Sequence, residues 1–148
     1  MDDDTETPDP LHVLTDDECW TRVSSQDLGR LVTHVGDVLD IFPVNYVVDN
    51  GTIVFRTAEG SKLVELTVND DVLFEVDDHT DEDAWSVVVR GHAHRLETSE
   101  EVAEADRLPL RPWLPTLKYN FVRIEPTTLS GRAFHRAPEP ERYGIADY

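Results

Sequence analysis

Along the middle of this chain apolar and polar residues alternate with a period of two, broken at short intervals by glycine, asparagine and aspartate. That pattern belongs to strands joined by tight turns. GRLVTHV from Gly29 and, beyond Gly36-Asp37, DVLDIFPVNYVVD predict two strands about a turn. Asp49-Asn50-Gly51 predicts a hairpin, because Asn-Gly accepts the positive φ values of a type I′ turn, and TIVFRT is the return strand. DVLFEVD is a further strand and HTDEDA a polar loop. AWSVVVRGHAHRLET is a long strand with Val87, Val89 and Leu96 facing inward and a bend at Gly91. YNFVRIEPTTLSGRAF is a last strand or a pair of them.

Three short helices interrupt the β pattern. Thr15-Asp16-Asp17-Glu18 is a capping box, in which the threonine hydroxyl accepts from a first-turn amide and the glutamate reaches back, and it predicts a helix to about Val23. Between Ala58 and Asn69, Gly60-Ser61-Lys62 followed by Leu63, Val64 and Leu66 suits one or two amphipathic turns. Thr98-Ser99-Glu100-Glu101 opens a third helix to about Arg107. The prolines of LPLRPWLP then stop regular structure, since proline lacks a donor and fixes φ. Six or seven mostly antiparallel strands in an acidic chain favour a small closed barrel over an open sheet with bare edges. The organisation expected is an acidic tail over 1–12, one domain over 13–134 and a second tail over 135–148, because MDDDTETPDP and APEPERYGIADY lack apolar periodicity.

Composition narrows the function classes. A length of 148 residues suits one core, and the three Trp, four Tyr and five Phe can fill it. No apolar run approaches the roughly 20 residues of a membrane span, and the acidic amino terminus is unlike a signal peptide, so the expected location is cytoplasmic. Cys19 alone makes neither a disulfide nor a zinc site, and beside Trp20 it reads as core packing. The formal charge of −18, from 31 acidic and 13 basic residues, repels nucleic acid and anionic lipid. A homodimer of so acidic a chain needs an apolar face to offset the repulsion, and the β-branched residues in excess of one barrel's interior, at 87–89 and in NFVRI, are the expected source.

Against that acidic background, one of only two lysines, Lys62, stands close to Arg56, Thr57 and Ser61 at the end of a hairpin. A guanidinium, an ammonium, hydroxyls and free amides after Gly60 are the four kinds of group a phosphate wants. Pairing of Arg56 and Lys62 with Glu59 and Glu65 on a solvated face is the alternative. His92 and His94 alternate on one strand, a spacing that could hold a metal, but with no acidic or Cys partner beside them in sequence they read as surface residues, and His34 and His135 are open to the same two readings.

The run Phe42-Pro43-Val44-Asn45-Tyr46, the Asp-Asn-Gly hairpin, a strand ending Phe55-Arg56-Thr57 and then Gly60-Ser61-Lys62-Leu63 resembles flavin-binding members of the pyridoxamine 5′-phosphate oxidase-like family. The likeness continues through Val72–Asp77, Trp85–Val89 with Gly91, Phe121–Ile124 and Ser130–Arg132, over roughly residues 14 to 134. It implies a mainly β fold, an antiparallel six-stranded split β-barrel with a few short helices, dimerising with FMN between two subunits. Arg56, Thr57, Ser61 and Lys62 would hold the FMN phosphate. Pro43, Val44, Asn45 and Tyr46 would lie along the isoalloxazine, and Trp113 from the other subunit would cover the ring or ribityl chain.

The function implied is a flavin-dependent oxidoreductase that passes electrons between NAD(P)H and a small organic substrate, with no acid or base named. Vitamin B6 oxidation is not implied, because the segment after Arg132 is short and acidic and lacks that enzyme's ending. A non-catalytic flavin-binding or sensing module, or a split barrel binding deazaflavin or haem, are the other readings.

Overall fold

The computed structural model describes residues 10–58, 60–111 and 120–138. The elements run β1 (Leu11–Val13), α1 (Asp16–Ser24), β2 (Leu28–Val35), β3 (Val38–Asp49), β4 (Thr52–Thr57), α2 (Ser61–Val68), β5 (Asp71–His79), β6 (Asp83–Arg95), α3 (Ser99–Asp106) and β7 (Asn120–His135). All strand pairings are antiparallel, in the order β1-β7-β4-β3-β2-β5-β6, and β6 pairs again with β7 so that the sheet closes on itself. Six long strands, β2 to β7, form a split barrel, and β1 adds a short seventh beside the far end of β7.

Local chemistry sets the elements where the sequence predicts them. Both capping boxes form, with Glu18 and Glu101 reaching back to the backbone of Thr15 and Thr98. Asn50 and Gly51 take φ of 50° and 73°, the left-handed pair of a type I′ turn. Gly91 sits at a register shift between β6 and β7. A Cβ built there would stand 2.3 Å from the Glu125 carbonyl oxygen, so only glycine lets the backbones meet.

The barrel interior is filled by one cluster that includes Leu31, Tyr46, Ile53, Phe55, Phe74, Val87, Val89, Val122 and Ile124, closed by Cys19 and Val23 of α1 and by Leu63 and Leu66 of α2. A second, smaller cluster lies on the outside. There Val54 and Phe121 meet Leu96 and Ala105, so α3 and its flanks cover part of the β3–β4–β7 surface.

Several expectations need correction. Leu96 is buried, but against α3 in the outer cluster rather than inside the barrel. Val87, Val89, Val122 and Ile124 are fully buried in the barrel, which leaves half-buried Val88 as the outward residue of the 87–89 run. Exposed apolar residues elsewhere include Val38, Leu39, Ile41, Val64, Val68 and Leu73. Leu11 and His12, inside the range assigned to the first tail, belong to β1, and His135 closes β7. The rest of both proposed tails lies largely outside the described residues. The loop at HTDEDA shrinks to Thr80–Glu82, because β5 and β6 pair out to His79 and Ala84.

Candidate functional site

The alternation of β4 sends Ile53, Phe55 and Thr57 into the barrel and Val54 and Arg56 out of it. Arg56 pairs with Phe121 on β7, and extending the β3–β4 register by one residue places Asn45 beside it. Leu28 pairs with Asn45 on the other side. Leu28, Asn45, Arg56 and Phe121 therefore form one lateral row on the outer surface.

Within this row the Arg56 guanidinium lies over the Phe121 ring, 5.9 Å from its centroid, and its Nε is buried without a hydrogen-bond partner. An orphaned donor on a permanent cation is costly, and it fits a ligand anion that would accept from it. The other expected partner, Glu65, accepts from the Thr33 hydroxyl at 2.6 Å and turns toward Asp40. That carboxylate contact first, and burial less, raise the Glu65 pKa above its ordinary value. Glu65 therefore does not neutralise Arg56, and Glu59 lies outside the described residues.

Three positions after Thr57, Gly60 caps α2 with no side-chain hydrogen bond, and no acidic residue stands in its first turn. The positive end of the helix dipole lies at this terminus. Ser61 is the first residue of that turn. Lys62 follows it, with its ammonium 5.5 Å from the centroid of the Phe42 ring. Arg56 on the outer face of β4 and Lys62 at the start of α2 are the cations of this segment, and a guanidinium and an ammonium are groups that suit a phosphate.

The remaining predicted residues divide by strand face. Pro43 is exposed and Asn45 half-buried on the outer surface, where Asn45 donates from Nδ2 to the Asp27 carbonyl at 3.2 Å. Val44 and Tyr46 point inward. The Tyr46 hydroxyl donates to the Val23 carbonyl at 2.5 Å, its ring packs edge-on against Phe74, and burial, then the Asp27 charge, push its pKa well above the ordinary tyrosine value. Thr57 also points inward, 4% exposed, and donates to the Ala58 carbonyl. Pro43, Asn45 and Arg56 therefore stand on the outer face, Lys62 lies over Phe42 at the start of α2, and the Val44, Tyr46 and Thr57 side chains are buried. Trp113 lies outside the described residues.

Sequence reasoning missed an ion network next to this surface. Arg30, which pairs with Pro43 across β2 and β3, holds Glu75 at 2.6 Å and Asp77 at 2.7 Å. Burial first, then the hydrogen bond with Asp77, raises the Glu75 pKa. Alternation placed Arg30, Glu75 and Asp77 on one face, but only the β2–β5 register brings them together. Of the histidines, His92 meets Asp70 at 3.1 Å, and no group of three or more potential metal ligands occurs among the described residues. Cys19 is buried against α1 and β7, and burial raises its pKa above the free-thiol value, as befits packing rather than a nucleophile.

A closed antiparallel sheet with three short helices defines the class of small split barrels. The chain belongs to the pyridoxamine 5′-phosphate oxidase family, whose model matches residues 15–133. It is similar to a Corynebacterium glutamicum protein named for pyridoxamine 5′-phosphate oxidase, at 48% identity and a TM-score of 0.84, covering 90% of this chain and all of that one. It is also similar to an FAD binding protein of Mycobacterium smegmatis, at 45% identity and a TM-score of 0.72, covering 84% and 98% of the two chains. An uncharacterized protein of Mycobacterium tuberculosis is 45% identical over 96 residues, 65% of this chain and 87% of its own length.

Proposed function

We propose that this chain binds a flavin by its ribityl phosphate, FMN in the simplest case, and acts as a flavin-dependent oxidoreductase on a small organic substrate, with NAD(P)H as electron donor. The observation that carries the reading is the buried, unpartnered Nε of Arg56. The mycobacterial relative that binds FAD supports it.

Arg56, Lys62 and the first-turn amides of α2 hold the phosphate. Pro43 and Asn45 offer an exposed strand surface along which a flat ring can lie, with the Asn45 side chain at hand for its polar edge. A bound flavin supplies the hydride and electron chemistry, and the chain supplies binding and orientation. Arg30, kept charged beside Pro43 by Glu75 and Asp77, sets the local field on that surface.

The protein works as a homodimer in this reading. Leu73, Val32 and Ile41 pair in one row across β5, β2 and β3, with Leu39 next to it, and this outward row is the apolar face that offsets repulsion between two acidic copies.

Titration with FMN, followed by quenching of flavin fluorescence, tests the binding. Saturable binding that falls at least tenfold in Arg56→Ala supports the anchor, since a charge-assisted bond to phosphate is worth about 1.5–3 kcal/mol. Equal affinity in the variant overturns it. NADH-driven reduction with turnover on a test acceptor separates an oxidoreductase from a non-catalytic binder.

A further inference from the structure

The outer face of β6, β5, β2 and β3 sets one ion network among apolar residues. In register, Val88, Glu75, Arg30 and Pro43 form one lateral row across the four strands. The next row on the same face is Leu73, Val32 and Ile41. Val88 and Pro43 therefore flank the Arg30–Glu75–Asp77 network, the apolar row lies on one side of it, and exposed Leu28, two residues before Arg30 on β2, lies on the other. Within the network one guanidinium serves two carboxylates, Glu75 at 2.6 Å and Asp77 at 2.7 Å. The Ser86 hydroxyl of β6 donates to Glu75 at 3.2 Å, and Arg132 of β7 pairs with Ser86 in the row beyond. His79, at the end of β5, adds a weaker attraction for the Asp77 charge, β3 brings only uncharged Pro43, and Arg90 beside Leu73 is tied to Asp71. With both carboxyls ionised, the network carries one negative charge in excess.

We propose that self-association through this face is proton-linked: each network takes up one proton from solvent when a second copy covers it, so the dimer tightens as pH falls. The inference rests on the self-association reading above and names its regulation. Desolvation is the physical reason. An apolar patch closed by a partner is a poor medium for an uncompensated carboxylate, and a second acidic copy brings like charge to the same place. A proton held between Glu75 and Asp77 leaves one carboxylate for the guanidinium and makes the network neutral. The uncovered face already favours that arrangement. Burial first, then the hydrogen bond with Asp77, holds the Glu75 carboxyl above its ordinary value, while the hydrogen bond with Glu75 is the chief cause holding Asp77 below its own. The proton therefore belongs on Glu75. Covering the face raises the Glu75 value further. In the window between the free and the covered values, both above the ordinary glutamate value, the dimer holds more protons than two monomers, and association strengthens as pH falls.

Sedimentation equilibrium of the purified protein from about pH 5.5 to about pH 8 measures the linkage. The wild-type dissociation constant should fall about tenfold or more toward the acidic end of that range. Glu75→Gln and Asp77→Asn each leave one carboxylate for Arg30. Each should associate about threefold or more tightly than wild type at about pH 8 and lose most of the pH dependence. Arg30→Gln leaves two carboxylates uncompensated and should weaken association at the same pH. Glu104→Gln, on the exposed side of α3, removes the same charge away from the face and should follow wild type. The proposal is overturned if Glu75→Gln and Asp77→Asn keep the wild-type slope, or if they match Glu104→Gln at the alkaline end. A dimer whose slope all variants share leaves the self-association reading standing and removes the proton link, whereas a wild type that stays monomeric at every pH removes both.

Discussion

Arg56 carries a buried donor with no hydrogen-bond partner among the described residues. A buried donor left without an acceptor loses about 1–3 kcal/mol, and the β4–β7 register offers this Nε no carboxylate. Replacing Arg56 by Met, which keeps the stem against Phe121 and removes the charge, should leave the flavin-free protein as stable as before or up to about 1 kcal/mol more so, while abolishing phosphate binding. Urea denaturation without ligand measures the first half of this prediction, and a loss of more than about 1 kcal/mol would show that the guanidinium is structural. His135 makes the opposite case. Its ring meets Asp83 at 2.8 Å, and that hydrogen bond, with the Asp83 charge, raises its pKa above the ordinary histidine value. The sign follows from linkage: the contact stabilises fully below the unfolded-state value near 6.5 and is lost as pH rises through the raised folded value. An NMR titration should find His135 titrating above 6.5 and moving down in Asp83→Asn; no movement would mean that the pair does not form in solution.

Elements were legible in the sequence wherever one local rule governs them. Both capping boxes, the Asn50-Gly51 turn and the inward placing of Val87 and Val89 need only neighbouring residues. Leu96 defeated the period-two rule because β6 ends at Arg95, after which the chain turns to the outer surface and packs under α3. A run of β-branched residues cannot show whether both its faces are covered, and in β4 three successive residues are buried because α3 lies on the outside. Of the candidate site, the outward place of Arg56 on β4 and the helix that starts at Ser61 were legible from alternation and the Gly60-Ser61-Lys62 turn. The inward turn of Tyr46 and Thr57 and the Arg30 network were not, because strand phase and cross-strand register decide them. The bend at Gly91 gives a test at this scale. Gly91→Val would drive a side chain into the Glu125 carbonyl, and it should cost about 2–4 kcal/mol in denaturant unfolding or prevent folding. A loss under 1 kcal/mol would mean that the β6–β7 bulge is not fixed by this contact.

At the scale of the whole molecule, a barrel with a formal charge of −18 exposes an apolar row on the β5–β2–β3 surface. No helix among the described residues is long and apolar enough to cross a membrane, so that row is not part of a helical span. If it is the self-association face, Ile41→Glu combined with Leu39→Glu should convert a dimer to monomer in sedimentation velocity, and the wild-type dimer should tighten with added salt as repulsion is screened. A wild-type monomer at every concentration would remove the dimer from the account. The central claim is the phosphate anchor, and the most direct measurement is a flavin fluorescence titration of wild type and Arg56→Met side by side, with FMN and with riboflavin. The account predicts that wild type binds FMN far more tightly than riboflavin and that the variant binds both equally weakly. FMN and riboflavin binding alike to wild type would contradict it.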